Sequence, residues 1–265
     1  MIGITKHTIA VAAGGLCLGL ASLCSSASEQ EQDDWDVKVG AGILVADLPW
    51  QGVDNEFALV PMAEIKKGKW FSNEDATIGY QFLNIQDVFS TYAGLGYRNE
   101  GYDSLFGDTS SSSKVFEGYD APDGELVLNY GAKFLWFGLS GHTDLSDESD
   151  ATNFTFSAEV PLYESANGFG ISVQAQVRWL DADYVNTVYG ISGKNINASV
   201  GRMAYQTDDN AVNVTFGLNA YYQLTPEMTL IGSVSRTELD DVISKSPLVG
   251  DDTMDVAFIG ALYQF

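Results

Sequence analysis

Residues Met254 to Phe265 read MDVAFIGALYQF and carry the chain to its last residue. Apolar side chains recur at every second position, so one face of an extended strand would present Ala257, Ile259, Ala261, Tyr263 and Phe265. The closing strand of an outer-membrane β-barrel must pair with the first strand and place aromatic residues at the boundary between lipid and water. We therefore expect this strand to close a barrel, with Gly260, Tyr263 and Phe265 as its terminal assembly signal.

The beginning of the chain predicts export. Lys6 and His7 precede an apolar stretch at residues 9–23, which is followed by small residues ending at Ala27. This order is typical of a secretory signal peptide, and the apolar stretch is too short for a spanning helix. We predict a signal peptide at residues 1–27, an acidic periplasmic leader at 28–34 and an outer-membrane barrel at 35–265.

Composition limits the classes of function. The formal net charge is −23, and so acidic a chain does not attract polyanions through its general field, which argues against nucleic acid. Both cysteines, Cys17 and Cys24, fall within the predicted signal peptide. The exported chain would therefore contain no disulfide, no thiolate metal ligand and no cysteine nucleophile.

Alternating patterns predict an all-β, antiparallel transmembrane barrel of about twelve strands. The clearest strands lie near residues 37–45, 153–162, 171–179 and 212–224, close to the ~10 residues that a tilted strand needs to cross a bilayer. Weaker strands are predicted at 57–66, 69–73, 76–83, 88–98, 124–134, 136–146 and 228–238. Two points stay open, because no turn signal divides 124–146 and the short pair around Asn73 could form one bent strand, which would give ten.

The connections between these strands support the count. With both termini in the periplasm, bacterial barrels have long loops outside and short turns inside. The predicted outer connections are 47–56, 74–75, 99–123, 147–151, 181–210 and 239–252, and the inner ones are 67–68, 84–87, 135, 163–168 and 225–227. Only 74–75 departs from the expected pattern of lengths.

Three short motifs resemble one family of Gram-negative outer-membrane proteins, the MipA/OmpV family (MltA-interacting protein). Residues 179–184 read WLDADY and continue to Val188-Tyr189-Gly190-Ile191, similar to the family's Trp, acidic Ala-Asp-x-x-Tyr and Phe-Gly-Val pattern. Residues 49–54 (PWQGVD) are similar to its Pro-x-Tyr-x-Gly-Ser-Asp. The third match comprises residues 222–224, Ser246-Pro247 and the closing residues 263–265.

The resemblance spans essentially the whole exported chain and implies a barrel that acts as a scaffold. The family's namesake is thought to bring a lytic transglycosylase together with a peptidoglycan synthase, and other members are associated with adhesion, osmotic response or drug susceptibility. Lys245 stands where the family tends to have Asp, and residues 193–195 replace a more usual Thr/Pro-rich segment. These departures concern loops and leave the barrel pattern intact.

Polar residues that alternate with the outward apolar ones predict the lining of the lumen. The candidate lumen set is Lys38, Glu64, Arg98, Glu159, Gln174, Gln176, Arg178 and Asn219. A barrel of about twelve strands lies between small filled barrels and open porins. We expect side chains or the 181–210 loop to occlude the lumen, and the alternative of a narrow passage for small solutes stays open.

Catalytic and metal sites find little support in the sequence. His142 is the only histidine beyond the signal peptide and lies beside Thr143-Asp144, so a rim hydrolase using it as a general base is a weak alternative. One histidine without cysteine nearly excludes zinc. Paired acids in the predicted outer loops supply hard oxygen ligands, but none has the spacing of a calcium loop. We predict no enzyme activity, no cofactor and no metal site.

Lys66, Lys67 and Lys69 cluster at the first predicted inner turn. Such a cluster could contact anionic lipid head groups or an acidic periplasmic partner. We interpret it as a partner-facing turn, together with the 28–34 leader. The predicted function is a non-enzymatic outer-membrane scaffold whose partners are membrane lipid, the barrel-assembly machinery, a lytic transglycosylase and a peptidoglycan synthase.

Overall fold

The computed structural model describes residues 35–265, except residue 54, residues 74–76, residue 87 and residues 103–110. The predicted signal peptide and leader lie outside the described residues. The part of the chain that is described forms twelve antiparallel strands, each hydrogen-bonded to its sequence neighbours, and β1 pairs with β12 to close the barrel. The strands are β1 (Trp35–Asp47), β2 (Glu56–Lys67), β3 (Trp70–Ser72), β4 (Ile78–Ile85), β5 (Phe89–Arg98), β6 (Glu125–Phe134), β7 (Phe137–Asp144), β8 (Thr152–Glu164), β9 (Phe169–Leu180), β10 (Ala211–Gln223), β11 (Met228–Glu238) and β12 (Thr253–Gln264).

The predicted fold is confirmed, and the count is twelve rather than ten. The doubtful pair around Asn73 consists of two strands, of which β3 has three residues and β4 has eight. The doubtful region 124–146 is a hairpin of β6 and β7, in which Phe134 pairs with Phe137. Leu135 in its turn has φ = 52°, a left-handed conformation usually taken by glycine or asparagine. Leucine is not a typical turn residue, so the residue types do not indicate a turn at this position.

The outer face of the barrel is apolar in the way that lipid contact requires. On β2 the outward side chains Phe57 and Leu59 are 70% and 76% exposed, and Ile259 on β12 is 66% exposed. The inward positions of the same strands are filled by Met62 and Phe258, which are buried. Alternation along each strand thus separates a lipid-facing surface from a filled interior.

The long connections, together with the short connection 73–77, emerge at one end of the barrel, which we call the loop end. They comprise residues 48–55, 73–77, 99–124, 145–151, 181–210 and 239–252. The short connections 68–69, 86–88, 135–136, 165–168 and 224–227 lie at the opposite end, the turn end, together with Trp35 and Phe265. Which membrane side each end faces stays a prediction.

The helices of the described residues belong to the loop end. They are α1 (Ala182–Tyr189), α2 (Asp241–Ser244) and three 3-10 helices at Lys114–Phe116, Gly193–Asn195 and Ala198–Val200. Within the described part of the chain, every helix is too short or too polar to cross a bilayer. The main cluster of buried apolar side chains extends from these loops into the barrel wall.

Candidate functional site: a capped barrel lumen

An aromatic cap fills the loop end of the barrel. Trp50, from the first loop, lies in its centre, with ring centroids of Tyr102, Phe116 and Tyr189 at 6.2, 6.4 and 5.4 Å. Tyr102 and Phe116 are stacked at 3.7 Å. These residues come from three separate loops, so the cap forms only when the loops fold over the barrel together.

The first loop is also fixed to the loop before β12. The backbone N–H of Gln51 donates to the carbonyl of Leu248 at 2.8 Å, and Gly250 donates to the carbonyl of Pro49 at 2.8 Å. Leu248 is fully buried. Four of the long connections (48–55, 99–124, 181–210 and 239–252) therefore contribute to one packed cap.

A buried arginine joins two of these loops. The guanidinium of Arg202 donates hydrogen bonds to the backbone carbonyls of Val115 and Asn195, and to that of Glu117 at 3.2 Å. It also lies 5.6 Å from the ring centre of Tyr119, and burial raises the pKa of the Tyr119 hydroxyl to about 12. Sequence reasoning missed Arg202, because its partners are backbone carbonyls, and those of Val115 and Glu117 are more than eighty residues away in the chain.

Below the cap, Tyr184 of α1 connects the 181–210 loop to the barrel wall. Its ring lies between two guanidinium groups, 4.9 Å from Arg98 and 5.1 Å from Arg178, and its hydroxyl donates to the carboxylate of Glu100. Asp181 accepts a hydrogen bond from the N–H of Tyr184 at 2.9 Å and so caps the start of α1. We call Arg98, Glu100, Arg178 and Tyr184 the latch.

The charges of the latch are compensated inside the protein. Arg178 contacts Glu100 at 2.8 Å, and Arg98 donates to Glu125 at 2.6 Å. Burial alone would raise the pKa of Glu100, but the neighbouring cations of Arg178 and Arg98 lower it below its ordinary value. Glu100 is therefore held as a buried carboxylate, and removing any one partner would leave a charge in a dry site.

Alternation turns all eight residues of the candidate lumen set inward, but they do not form one site. Arg98 and Arg178 belong to the latch near the loop end. Glu159 accepts hydrogen bonds from Ser172 at 2.5 Å and Asn219 at 3.0 Å, and Asn219 also contacts Gln174 at 3.3 Å. Of the remaining three members, Gln176 is half-buried on β9. Lys38 and Glu64 form a salt bridge of 3.2 Å near the turn end.

His142 lies in the wall of the barrel. Its Nδ1 hydrogen-bonds the amide oxygen of Asn129 at 2.6 Å, and the Asn129 amide nitrogen donates to the hydroxyl of Thr77 at 2.6 Å. An amide does not stabilise an imidazolium as a carboxylate does, so this pair lacks the orienting acid of a hydrolytic triad. Among the described residues, no group of three or more His, Cys, Asp or Glu side chains is arranged to hold a metal ion.

The three lysines of the predicted partner-facing turn do not share one face. Lys66 follows Glu64 on the inward register of β2, whereas Lys67 points outward and lies 4.7 Å from the ring centre of Trp35. Lys69 is exposed in the turn itself. Alternation along β2 accounts for the opposite directions of Lys66 and Lys67, because neighbouring residues of a strand point to opposite sides.

The residues of the terminal strand, β12, and the closing Phe265 also point to opposite sides of the wall. Tyr263 and Phe265 point outward with their rings 4.9 Å apart, whereas Gly260 faces the interior beside Phe258 and Met62. A side chain at Gly260 would contact both of these lumen-filling residues. The glycine thus serves interior packing, and the two aromatic residues form part of the outer belt at the turn end.

A sequence profile described as MltA-interacting protein MipA matches residues 39–265. The chain belongs to the MipA family. The MltA-interacting proteins of Escherichia coli (strain K12) and Shigella flexneri are each 24% identical over 253 residues, which cover 94% of this chain and 98% of the relative. Family membership and the closed barrel indicate an outer-membrane location.

Solved structures with low sequence identity are also similar to the chain. The NanC porin is 13% identical with a TM-score of 0.39, and covers 88% of this chain and 100% of its own. OmpT of Vibrio cholerae is 8% identical with a TM-score of 0.37, and covers 90% of this chain and 100% of its own.

Proposed function

We propose that this chain is a non-enzymatic, non-conducting scaffold of the outer membrane that docks a lytic transglycosylase, and with it a peptidoglycan synthase. The observation that carries the proposal is the cap with its latch, which fills the loop end of the barrel. A barrel sealed at one end offers surfaces for binding rather than a passage. The name of the family's relatives, MltA-interacting protein, supports a transglycosylase as the partner.

The docking face in this proposal is the turn end. Short turns of bacterial barrels face the periplasm, where enzymes that remodel the cell wall work. The turns expose Trp136, Asn167 and Glu227, and the acidic 28–34 leader would extend from Trp35 at the same end. The barrel-assembly machinery would recognise the closing strand, with Tyr263 and Phe265, during insertion.

Site-specific photocrosslinking in intact envelopes tests this proposal. A photoreactive residue in place of Asn167 or Glu227 should form adducts with a transglycosylase. The matched control is Ile196, which is also exposed but lies at the loop end. Adducts from Ile196 alone, or none from the turn end while the barrel is correctly inserted, would reject the docking face.

A narrow passage is the second candidate, and one observation favours it. Between the latch and the turn end, the interior carries polar side chains such as Gln174, Gln176 and Asn219, which suit hydrated solutes. Opening would require the 181–210 loop to leave the lumen. Recordings in planar bilayers distinguish the two functions, because steady conductance that changes in Arg178→Ala supports the passage, whereas a silent wild-type barrel supports the scaffold.

A further inference from the structure

Four side chains form a lateral row on the outside of the barrel at the turn end. Trp35 pairs with Lys67, Lys67 pairs with Trp70, and Trp70 pairs with Tyr80, across β1, β2, β3 and β4. Neighbouring strands lie about 4.8 Å apart, so the backbone of Lys67 lies between those of two tryptophans. Trp35 and Trp70 are 62% and 61% exposed.

Lys67 brings a positive charge to this outer face. Its ammonium group lies against the Trp35 ring, and it takes part in none of the salt bridges formed by the described residues. The nearest acid on β1, Asp36, points inward, where it accepts a hydrogen bond from Gln264 at 3.1 Å. In a chain with a net charge of −23, this row is a local cationic site.

We propose that Trp35, Lys67 and Trp70 bind the phosphate head group of an anionic glycerophospholipid. A Lys ammonium donates to phosphate oxygens, and indole N–H groups donate at the level of lipid carbonyls and phosphates. Directly further into the membrane, the outward side chains of Val37, Ile65 and Ile78 provide an apolar surface for the acyl chains. This continuity favours a lipid over a free anion, because both parts of the molecule are matched.

The row contains only one of the two lysines that end β2. Lys66 points inward beside Phe71, so it cannot reach a lipid head group outside the wall. Lys66→Gln therefore removes the same charge, one residue away, from the wrong side of the barrel. It is the matched control for Lys67→Gln.

Native mass spectrometry of the full-length exported protein tests the site. The protein is exchanged into detergent with equal amounts of phosphatidylglycerol and phosphatidylcholine, and the retained lipids are counted. Wild type and Lys66→Gln should retain phosphatidylglycerol preferentially, and Lys67→Gln should lower that preference about five-fold, the effect of one interfacial lysine. Lys67→Arg should preserve it, and heat-dependent migration on gels verifies that each variant is folded.

Two outcomes would overturn the site. One is an unchanged preference in Lys67→Gln, which would show that Lys67 does not select the lipid, or an equal loss in Lys66→Gln, which would show that total charge selects it. The other is displacement of phosphatidylglycerol by millimolar inorganic phosphate, which would identify a free-anion site. None of these readouts depends on a cell-wall partner, so the docking proposal can fail while the lipid site stands.

Discussion

Tyr184 donates its hydroxyl hydrogen to Glu100, a residue 84 positions earlier in the chain. The bond joins the loop that fills the mouth of the barrel to the end of β5. Because the Tyr184 ring also lies between Arg98 and Arg178, the aromatic residue contacts every charged member of the latch. The position of the 181–210 loop therefore depends on this side chain.

Tyr184→Phe should lower the stability of the protein while keeping an aromatic ring in the latch. The ring stays between the arginines, but Glu100 loses a hydrogen bond in a buried site, which costs about 1.5–3 kcal/mol for a charged acceptor. Urea unfolding in detergent, followed by tryptophan fluorescence, measures the loss. Tyr222→Phe removes a hydroxyl from the lipid-facing side and is the control. Equal midpoints for wild type and Tyr184→Phe would show that the bond contributes nothing to stability.

Glu100 makes stability dependent on pH in a defined direction. Its pKa in the folded protein lies below the ordinary value of 4.5, so folding favours its ionised form. The stabilising contribution is complete above pH 4.5 and is lost as pH falls through the folded pKa. Glu100→Gln should therefore be much less stable than wild type at pH 7, and the difference should shrink at pH 3. A constant difference at both pH values would contradict this linkage.

Arg202→Met should open the cap while leaving the barrel wall intact. The substitution keeps an apolar stem but leaves the carbonyls of Val115 and Asn195 without their donor, at a cost of about 1–3 kcal/mol for each buried group. Limited proteolysis should cut the 99–124 and 181–210 loops faster. Lys114→Met removes an exposed lysine of the 99–124 loop that takes part in none of the salt bridges among the described residues, and it should change nothing. Equal cleavage rates in both variants would show that Arg202 does not hold the two loops together.

Gly42 should not tolerate a large side chain. A Cβ atom there would clash with the ring of Phe258 and approach the carbonyl of Ile259 at 2.7 Å. Gly42→Leu should cost at least about 1–3 kcal/mol through overpacking and lower the folded fraction on unheated gels. At Gly232 the nearest atom, the carbonyl of Phe258, is 3.6 Å away, so Gly232→Ala is the control. Normal folding of Gly42→Leu would mean that the packing against Phe258 relaxes.

The barrel could be predicted from sequence because each strand carries its own signal. Alternation in β8, β9 and β10 separates lipid from lumen locally, and no knowledge of distant residues is needed. The hairpin at Leu135 was the weak point, since its left-handed backbone is held by a hydrogen bond from its N–H to the carbonyl of Val88 in the adjacent turn. That stabilisation is tertiary and has no sequence signature.

The cap and latch were predicted only in outline. Arg98 and Arg178 followed from alternation, and occlusion by the 181–210 loop was expected. Glu100 and Arg202 were missed because they lie outside strands, where no period assigns a direction to a side chain. Trp50 was noted as part of a motif, but its contacts come from loops far apart in the chain. Periodic patterns in the sequence do not predict how irregular segments pack against distant parts of the chain.

The pairing of β1 with β12 sets a condition on the order of events during biogenesis. Val39 pairs with Tyr263, and Asp47 pairs with Asp255. The first strand to be exported therefore stays unpaired on this side until the last strand arrives. Until then both edge strands of the sheet expose unpaired amide and carbonyl groups, which can pair with the strands of other chains. A product truncated by only a dozen residues would lose almost all of β12 and keep both edge strands unpaired, so even a late stop codon would prevent closure of the barrel.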